Sequence, residues 1–200
     1  MTAPFTQLEA GLAVLRVAQQ FLDLHEVESN ARWSRPVDSD ALRALLAATG
    51  WQPGWPYCMA FVEACYGTAA GQLAGPAAEA LVRAKFTPHV QTTFRNVGAL
   101  VRQGRPVPGS VFFMRKGQTT QGHAGLVLLA GARTMATLEG NTSPGVTTPG
   151  KDREGDGIYL KVRPIIFAPT PGLYLQGFLD PLDQEGVQAL LHSTVPGGSA

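Results

Sequence analysis

The sequence contains only two cysteines, Cys58 and Cys65, and this scarcity restricts what they can do. If the segment between them is helical, they lie two turns apart on one face, about 10 Å along the axis, which is too far for a disulfide. The chain also has no Cys-x-x-Cys pair and no His-x-x-x-His pair, the spacings that commonly hold metal ions. We therefore expect no disulfide framework, no metal and no cofactor.

A charge imbalance and long apolar runs are absent as well. Sixteen Lys and Arg residues stand against fifteen Asp and Glu, so the net charge of +1 gives no global field that favours a nucleic acid or an anionic membrane. The apolar run from Leu12 to Val17 is short, contains Arg16, and has neither a basic leader nor a small-residue cleavage site. We expect no nucleic-acid partner, no membrane span and no signal peptide.

The composition and patterning that are present predict one globular unit of the α+β class. Two hundred residues with 44% hydrophobic content suffice for a single core. Helical patterns precede a Gly/Pro-rich breaker at 104–109, and strand patterns follow it. The predicted helices are 5–25, 41–48 after a cap at 38–40, 58–66, 77–84 and, more weakly, 93–103, with a Gly/Ala-rich loop at 67–75. The predicted strands are 110–116, 124–130, 134–139, 157–163 and 172–179, with a long surface loop at 141–156.

The same patterns divide the chain into one main domain and a tail. The domain is predicted to cover 1–182, with N-terminal helices at 5–66 and an antiparallel sheet at 110–180. The tail at 183–200 is predicted to hold a short helix at 185–191 and a disordered end from 196.

Cys58 occupies a position that would stabilise a reactive thiolate. It follows the turn-forming run Gly54-Trp55-Pro56-Tyr57 and immediately precedes an apolar, helix-compatible segment, so its sulfur is predicted to lie at a helix N-terminus. Unpaired backbone N–H groups and the positive end of the helix dipole favour a thiolate there. The alternative is a buried cysteine that acts only as a small hydrophobic residue.

A histidine and two polar residues occur on neighbouring predicted strands. Gly122-His123-Ala124-Gly125 begins one strand, and Glu139-Gly140-Asn141 ends the next. Because side chains two apart on a strand share a face, Glu139 and Asn141 should point the same way. If the paired positions add up to an even number, for example 262, His123 lies opposite Glu139, whereas an odd sum places it across from Gly140. We therefore predict an odd-numbered hairpin loop, three or five residues long, with Gly131 at positive φ.

Together these residues supply the parts of a thiol hydrolase. Cys58 is the candidate nucleophile, His123 the general acid and base, and Glu139 or Asn141 the group that orients the imidazole. The amide of Cys58 is a candidate oxyanion donor, and Gln52 or Tyr57 a candidate second donor, with Tyr57 alternatively lining the substrate groove. Without such chemistry, His123 would be a core histidine and Glu139 a charge at a strand end.

Four motifs occur in a characteristic order. They are Pro56-Tyr57-Cys58-Met59-Ala60-Phe61-Val62, Gly109-Ser110-Val111-Phe112-Phe113, Gly122-His123-Ala124-Gly125-Leu126-Val127 and Glu139-Gly140-Asn141-Thr142-Ser143. In this order they resemble the CHAP amidase/peptidase family within the NlpC/P60-type, papain-like cysteine hydrolases of bacterial cell walls. The likeness covers roughly 28–163. Tyr57 stands where Trp is usual, Met59 replaces a small residue and Ser110 replaces Asp. Tyr57 and Met59 adjoin the nucleophile, and we expect them to influence substrate specificity.

The resemblance implies a papain-like fold and a peptidoglycan hydrolase with Cys58, His123, Glu139 and Asn141 in its site. The implied bond is an amide, cut either by an N-acetylmuramoyl-L-alanine amidase or by a wall-peptide endopeptidase. Such a protein would act as a monomer in the periplasm or the extracellular wall, as a phage lysin or an antibacterial toxin released by lysis or a specialised secretion system. An immunity or inhibitor protein is a further expected partner. The alternatives are a non-catalytic wall-binding module on the same fold and a papain-like deamidase or acyltransferase.

Overall fold

The computed structural model of the protein describes residues 4–144, 155 and 157–192, and it confirms the α+β class. The helices are α1 (Gln7–Gln19), α2 (Pro36–Ala47), α3 (Cys58–Ala74), α4 (Pro76–Lys85), α5 (Val90–Asn96) and α6 (Gln184–His192), with a 3-10 turn at Gly98–Leu100. The strands are β1 (Glu26–Glu28), β2 (Arg32–Trp33), β3 (Val101–Arg102), β4 (Val111–Lys116), β5 (Gly122–Ala130), β6 (Thr134–Thr142), β7 (Gly157–Pro164) and β8 (Leu173–Leu179). The end of the predicted tail and most of the predicted loop at 141–156 lie outside the described residues.

Six strands form one antiparallel sheet in the order β3-β8-β4-β5-β6-β7. The five predicted strands are all present, each within a few residues of its predicted bounds. The short strand β3 was not predicted, and it pairs with the end of β8 through Val101 and Leu179. The β4–β5 and β5–β6 neighbours are sequential hairpins, so the two strands that carry His123 and Glu139 lie side by side.

The sheet has an apolar layer on each face. Helix α3 packs against β5 and β6 on one face, where Phe61, Ala124 and Leu138 belong to the main core. The other face holds a smaller cluster around Phe112, covered by Phe167 and its neighbours from the segment that links β7 to β8. This division leaves the start of α3 next to the sheet and brings Cys58 close to the beginning of β5.

Helix α3 is longer than predicted, because the Gly/Ala-rich stretch at 67–75 continues it up to Ala74. The glycines of this stretch do not form the predicted loop; they allow close packing between two helices. A Cβ on Gly67 would lie 3.2 Å from the Arg83 guanidinium carbon, and one on Gly71 would lie 2.6 Å from Glu79 Oε2. Both partners are on α4, so the small residues let the two helices approach closely. Helix α3 ends at Gly75, which has a φ of 83°.

The N-terminal region differs from its prediction at two points. Helix α1 is shorter than 5–25: it begins after Thr6, which forms a capping box with Glu9, and it ends at Gln19. The aperiodic stretch after it forms the small β1–β2 hairpin. Helix α2 begins at Pro36 rather than after 38–40, because the fixed φ of proline suits the first position of a helix. The Ser39 hydroxyl accepts the Trp33 N–H inside the first turn and caps no helix end.

The chain beyond the sheet packs back onto the helices. Val187 and Leu190 of α6 are buried and belong to the same core as α1 and α3. Within the described part of the chain, no helix combines the length and the apolar character needed to cross a lipid bilayer.

Candidate active site

Cys58 is the first residue of α3 and is 7% exposed. The first helical hydrogen bond runs from the Phe61 N–H to the Tyr57 carbonyl, so the amide of Cys58 is not used by the helix ladder. The thiol therefore lies at a helix N-terminus, as predicted, with free amide donors beside it. Cys65 is fully buried, and burial raises the pKa of its thiol far above the ordinary value, so Cys65 is the inert cysteine.

His123 lies near the start of β5 and is hydrogen-bonded on two sides. Its Nε2–H donates to Glu139 Oε2 at 2.8 Å, and its side chain is also hydrogen-bonded to Cys58. Because Nε2 faces Glu139, Nδ1 is the ring nitrogen left for the thiol. The structure thus brings Cys58, His123 and Glu139 into one chain of contacts, in the order that the sequence predicts.

Glycines in the catalytic motifs make room for this chain of contacts. A Cβ on Gly125 would lie 2.8 Å from both Glu139 Cγ and Phe112 Cε1, so only glycine leaves space for the carboxylate between the strands. A Cβ on Gly140 would lie 3.0 Å from the Phe61 side chain of α3. The Gly-His-x-Gly and Glu-Gly-Asn patterns therefore reflect close packing around the site as well as chemistry.

Glu139 is fully buried, and each carboxylate oxygen accepts two hydrogen bonds. Arg163 of β7 donates from Nε to Oε1 at 2.9 Å and from Nη2 to Oε2 at 2.6 Å. The Thr137 hydroxyl donates to Oε1 at 2.6 Å, and His123 completes the set at Oε2. Burial alone would raise the pKa of Glu139, but hydrogen bonds and charges from Arg163 and His123 hold that pKa well below its ordinary value. Glu139 is thus a carboxylate at neutral pH.

The protonation of His123 follows from its two partners. Burial lowers the pKa of an imidazole, but hydrogen bonds and charge interactions with Cys58 and Glu139 outweigh burial and raise the pKa of His123 to about 10. An imidazolium is therefore favoured at neutral pH between the thiol and the carboxylate.

The hairpin that joins β5 and β6 reaches the predicted parity by a different route. Three residues separate the strands, but Gly131 does not have positive φ, and its N–H donates to the Thr134 carbonyl across a tight turn. The turn by itself pairs Ala130 with Met135, and these two residue numbers add up to an odd sum, not to the even sum that the prediction requires. A bulge between Val127 and Leu129 then shifts the pairing to Leu126 with Leu138. When this register is continued to the ends of both strands, His123 lies opposite Asn141, and Glu139 lies diagonally across from His123.

Asn141 does not share the role of Glu139. Its φ of 55° and a shift in the β6–β7 pairing between Gly140 and Thr142 interrupt the strand alternation, so the expectation that both side chains point the same way is wrong. The backbone of Asn141 is hydrogen-bonded to the Tyr57 hydroxyl, and the side chain lies beside Gly155. Asn141 therefore supports the residue before the nucleophile, while Glu139 contacts the imidazole.

Tyr57 is neither an oxyanion donor nor a residue of the substrate groove. It is fully buried, and its hydroxyl accepts the indole N–H of Trp33 at 2.9 Å. Burial raises the pKa of Tyr57 far above its ordinary value. Met59 is also fully buried, so neither side chain reaches the cleft surface, and an influence of these two residues on substrate specificity would have to be indirect. The aromatic at 57 instead packs the turn onto Trp33 and Trp51, which fixes the entry to α3.

Gln52 lies in the exposed turn before Cys58. Its backbone carbonyl accepts the Trp55 N–H at 3.1 Å, and Gln52 is not among the residues that line the cleft at Cys58. The amide of Cys58 therefore remains the candidate oxyanion donor next to the thiol.

A cleft of about 370 Å³ opens at Cys58 and His123. Lys116, at the end of β4, and Gln121, just before β5, line this cleft. A second cavity of about 420 Å³ shares Pro56, Pro88 and His89 with the first and extends to Trp55. Because they share these three lining residues, the two cavities adjoin and form a groove, and Cys58 and His123 line its first section.

Arg163 is the functional residue that sequence reasoning missed. Residues 159, 161 and 163 of β7 face the same side as Glu139, because Glu139 pairs with Tyr159 and Met135 pairs with Arg163. Strand alternation could have placed Arg163 on that face, but the pairing register of β7 across the long preceding loop was not readable from the sequence.

Comparison with family models, with curated proteins and with solved structures finds no match for this chain. Among the described residues, no group of three or more His, Cys, Asp or Glu side chains is placed to hold a metal ion.

Proposed function

We propose that the protein is a papain-like cysteine hydrolase that cleaves an amide bond of peptidoglycan through an acyl-enzyme on Cys58. The observation that carries the proposal is the continuous contact from Cys58 to His123 to Glu139, with the thiol at a helix N-terminus and at the floor of an open cleft. The four motifs that resemble cell-wall hydrolases supply the substrate class.

In the acylation step, the Cys58 thiolate attacks the amide carbon, and the carbonyl oxygen becomes an oxyanion beside the Cys58 N–H. The protonated His123 then donates its Nδ1 proton to the amide nitrogen. The C–N bond breaks, the amine leaves, and a thioester to Cys58 remains. Glu139 holds the imidazole ring in position through both protonation states, and Arg163 holds Glu139.

In the deacylation step, neutral His123 takes a proton from a water molecule, whose oxygen attacks the thioester carbon. The C–S bond breaks, the acid product leaves, and Cys58 returns as a thiolate beside a protonated His123. Each cycle therefore consumes one water and restores the ion pair. On this proposal the site of action is the periplasm or the extracellular wall, and the bond is either the lactyl–L-alanine amide or a stem-peptide bond.

The first prediction concerns Cys58 itself. Purified peptidoglycan incubated with the protein should release fragments whose masses identify the broken amide, and Cys58→Ala should abolish this release, a loss of about 10⁴-fold or more. Cys65→Ala is the matched control, because it removes the other buried thiol, and it should retain hydrolysis. Iodoacetamide should label Cys58 and spare Cys65.

Two results would contradict the proposal. Hydrolysis retained by Cys58→Ala would exclude the thioester mechanism. Sedimentation of the protein with insoluble peptidoglycan, without release of fragments and without rapid alkylation of Cys58, would indicate a wall-binding module instead.

A further inference from the structure

The rim of the catalytic cleft carries an uncompensated positive charge. The residues that line the cleft include Lys116, and none of them is Asp or Glu. The carboxylate of Glu139 lies behind His123 and is fully buried, so it does not offset this charge at the opening. A substrate that enters the cleft therefore meets a cation in the same cleft as the thiol.

Lys116 is presented by a rigid turn. Its backbone N–H donates to the Gln121 carbonyl at 3.0 Å, and its carbonyl accepts the Thr119 hydroxyl at 2.7 Å. The Arg115 guanidinium donates to the Thr119 and Gln118 carbonyls, which fixes the turn from the side. Gly117 has a φ of 51° and donates its N–H to the Gly172 carbonyl, which ties the turn to the chain before β8. The backbone under the ammonium group is thus held in place before any substrate binds.

The ammonium group of Lys116 has no carboxylate partner within the part of the chain that the structure describes. The guanidinium of neighbouring Arg115 donates hydrogen bonds to carbonyls of the turn, whereas the Lys116 side chain is exposed and lines the cleft. The opposite end of the groove, beside Trp55, Pro56 and Pro88, is mainly apolar. The groove is therefore asymmetric in charge, with its cation at the end near His123.

We propose that Lys116 binds a carboxylate of the substrate close to the scissile amide, so that the enzyme selects wall peptides with free carboxylates over their amidated forms. This inference rests on the proposed function and names the substrate class of the same site. Stem peptides of peptidoglycan carry carboxylates on D-glutamate and on their terminal residues, and many walls carry these groups as carboxamides. A partly exposed ion pair of this kind changes affinity about fivefold.

The test uses the full chain and two defined muropeptides with the same stem, one with free carboxylates and one with every carboxylate converted to a carboxamide. Wild-type protein should show a KM about fivefold lower for the free acid, with similar kcat values. Lys116→Met should remove this preference by raising KM for the free acid alone. Arg133→Met, which removes an exposed cation at the far end of β5, is the matched control and should keep the preference. The advantage of the free acid should also shrink as salt concentration rises.

The failures of the two proposals are distinguishable. Equal KM values for the two muropeptides with wild-type protein, or an unchanged preference in Lys116→Met, would overturn the role of Lys116 while Cys58-dependent hydrolysis stood. Binding to Cys58→Ala provides a second measurement without turnover, and tighter binding of the free acid there supports the inference. If wild-type protein shows no Cys58-dependent hydrolysis of either muropeptide, the proposed function is overturned, and the inference with it.

Discussion

Two buried glutamates, Glu139 on β6 and Glu63 on α3, show what an environment does to the same side chain. Glu139 is fully buried and Glu63 is 2% exposed. Hydrogen bonds from Arg163 and His123 hold the pKa of Glu139 well below its ordinary value. Burial instead raises the pKa of Glu63 to about 8, and the charge of Arg83 offsets this only in part.

The difference lies in the donors that each carboxylate receives. Both oxygens of Glu139 are fully bonded, whereas Glu63 Oε2 is buried without a hydrogen-bond partner among the described residues. Arg83 is occupied by Glu79 through Nε and Nη2. A buried carboxylate with a full set of donors remains ionised and can hold an imidazolium, whereas one without donors is kept neutral. Burial alone therefore does not identify a catalytic carboxylate.

The largest expected effect comes from removing the charge of Glu139. Glu139→Gln should lower kcat/KM about 10³-fold, because the amide cannot stabilise the imidazolium or fix its tautomer as the carboxylate does. It should also lower the free energy of unfolding by about 3 kcal/mol, because the buried ion pair between Arg163 and the Glu139 carboxylate is lost. The pKa of His123 should fall, so the alkaline limb of the pH–kcat/KM profile should move to lower pH.

The matched control for that substitution is Glu63→Gln, which makes the same chemical change at the other buried glutamate. It should leave kcat/KM within about twofold, because Glu63 does not contact the dyad. If Glu139→Gln kept more than a tenth of the wild-type activity, the role of Glu139 in orienting His123 would be wrong.

The second expected effect is a pH-dependent gain in stability from Glu63→Gln. Because the pKa of Glu63 in the folded protein is about 8, above its ordinary value of 4.5, wild-type protein loses stability as pH rises between these two values. The glutamine side chain in Glu63→Gln does not ionise, so the variant does not lose stability in this pH range. Glu63→Gln should therefore be about 2 kcal/mol more stable than wild type at pH 8 and nearly equal to it at pH 4, as measured by urea unfolding.

An exposed carboxylate provides the control for the pH effect. Glu185→Gln changes an exposed residue of α6 and should alter stability by less than about 0.5 kcal/mol at both pH values. A stability difference between Glu63→Gln and wild type that does not grow from pH 4 to pH 8 would show that Glu63 is already ionised at low cost in the native state.

The sequence predicted more of the site than of its surroundings. Short sequence motifs were enough to place Cys58 at the start of a helix and His123 and Glu139 on adjacent strands, because each of these placements depends on only a few neighbouring residues. The predicted direction of the Asn141 side chain was wrong, because one residue at positive φ breaks strand alternation. The predicted exposure of Tyr57 was wrong, because its burial depends on Trp33 and Trp51 from elsewhere in the chain. The extension of α3 through Gly67 and Gly71 depended on contacts with α4, which composition does not show.

The smallest expected effect separates the charge of Arg163 from its geometry. Arg163→Lys keeps a cation near Glu139 but cannot make the two bonds that Nε and Nη2 now donate, so Glu139 and His123 should lose orientation and kcat should fall about tenfold. Because the charge remains, the alkaline limb of the pH profile should stay near its wild-type position, whereas in Arg163→Met it should shift. Melting temperatures of both variants distinguish a loss of folded protein from a loss of orientation. Wild-type kcat in Arg163→Lys would show that Glu139 needs only a nearby cation, and the contrast with Glu63 would then reduce to charge alone.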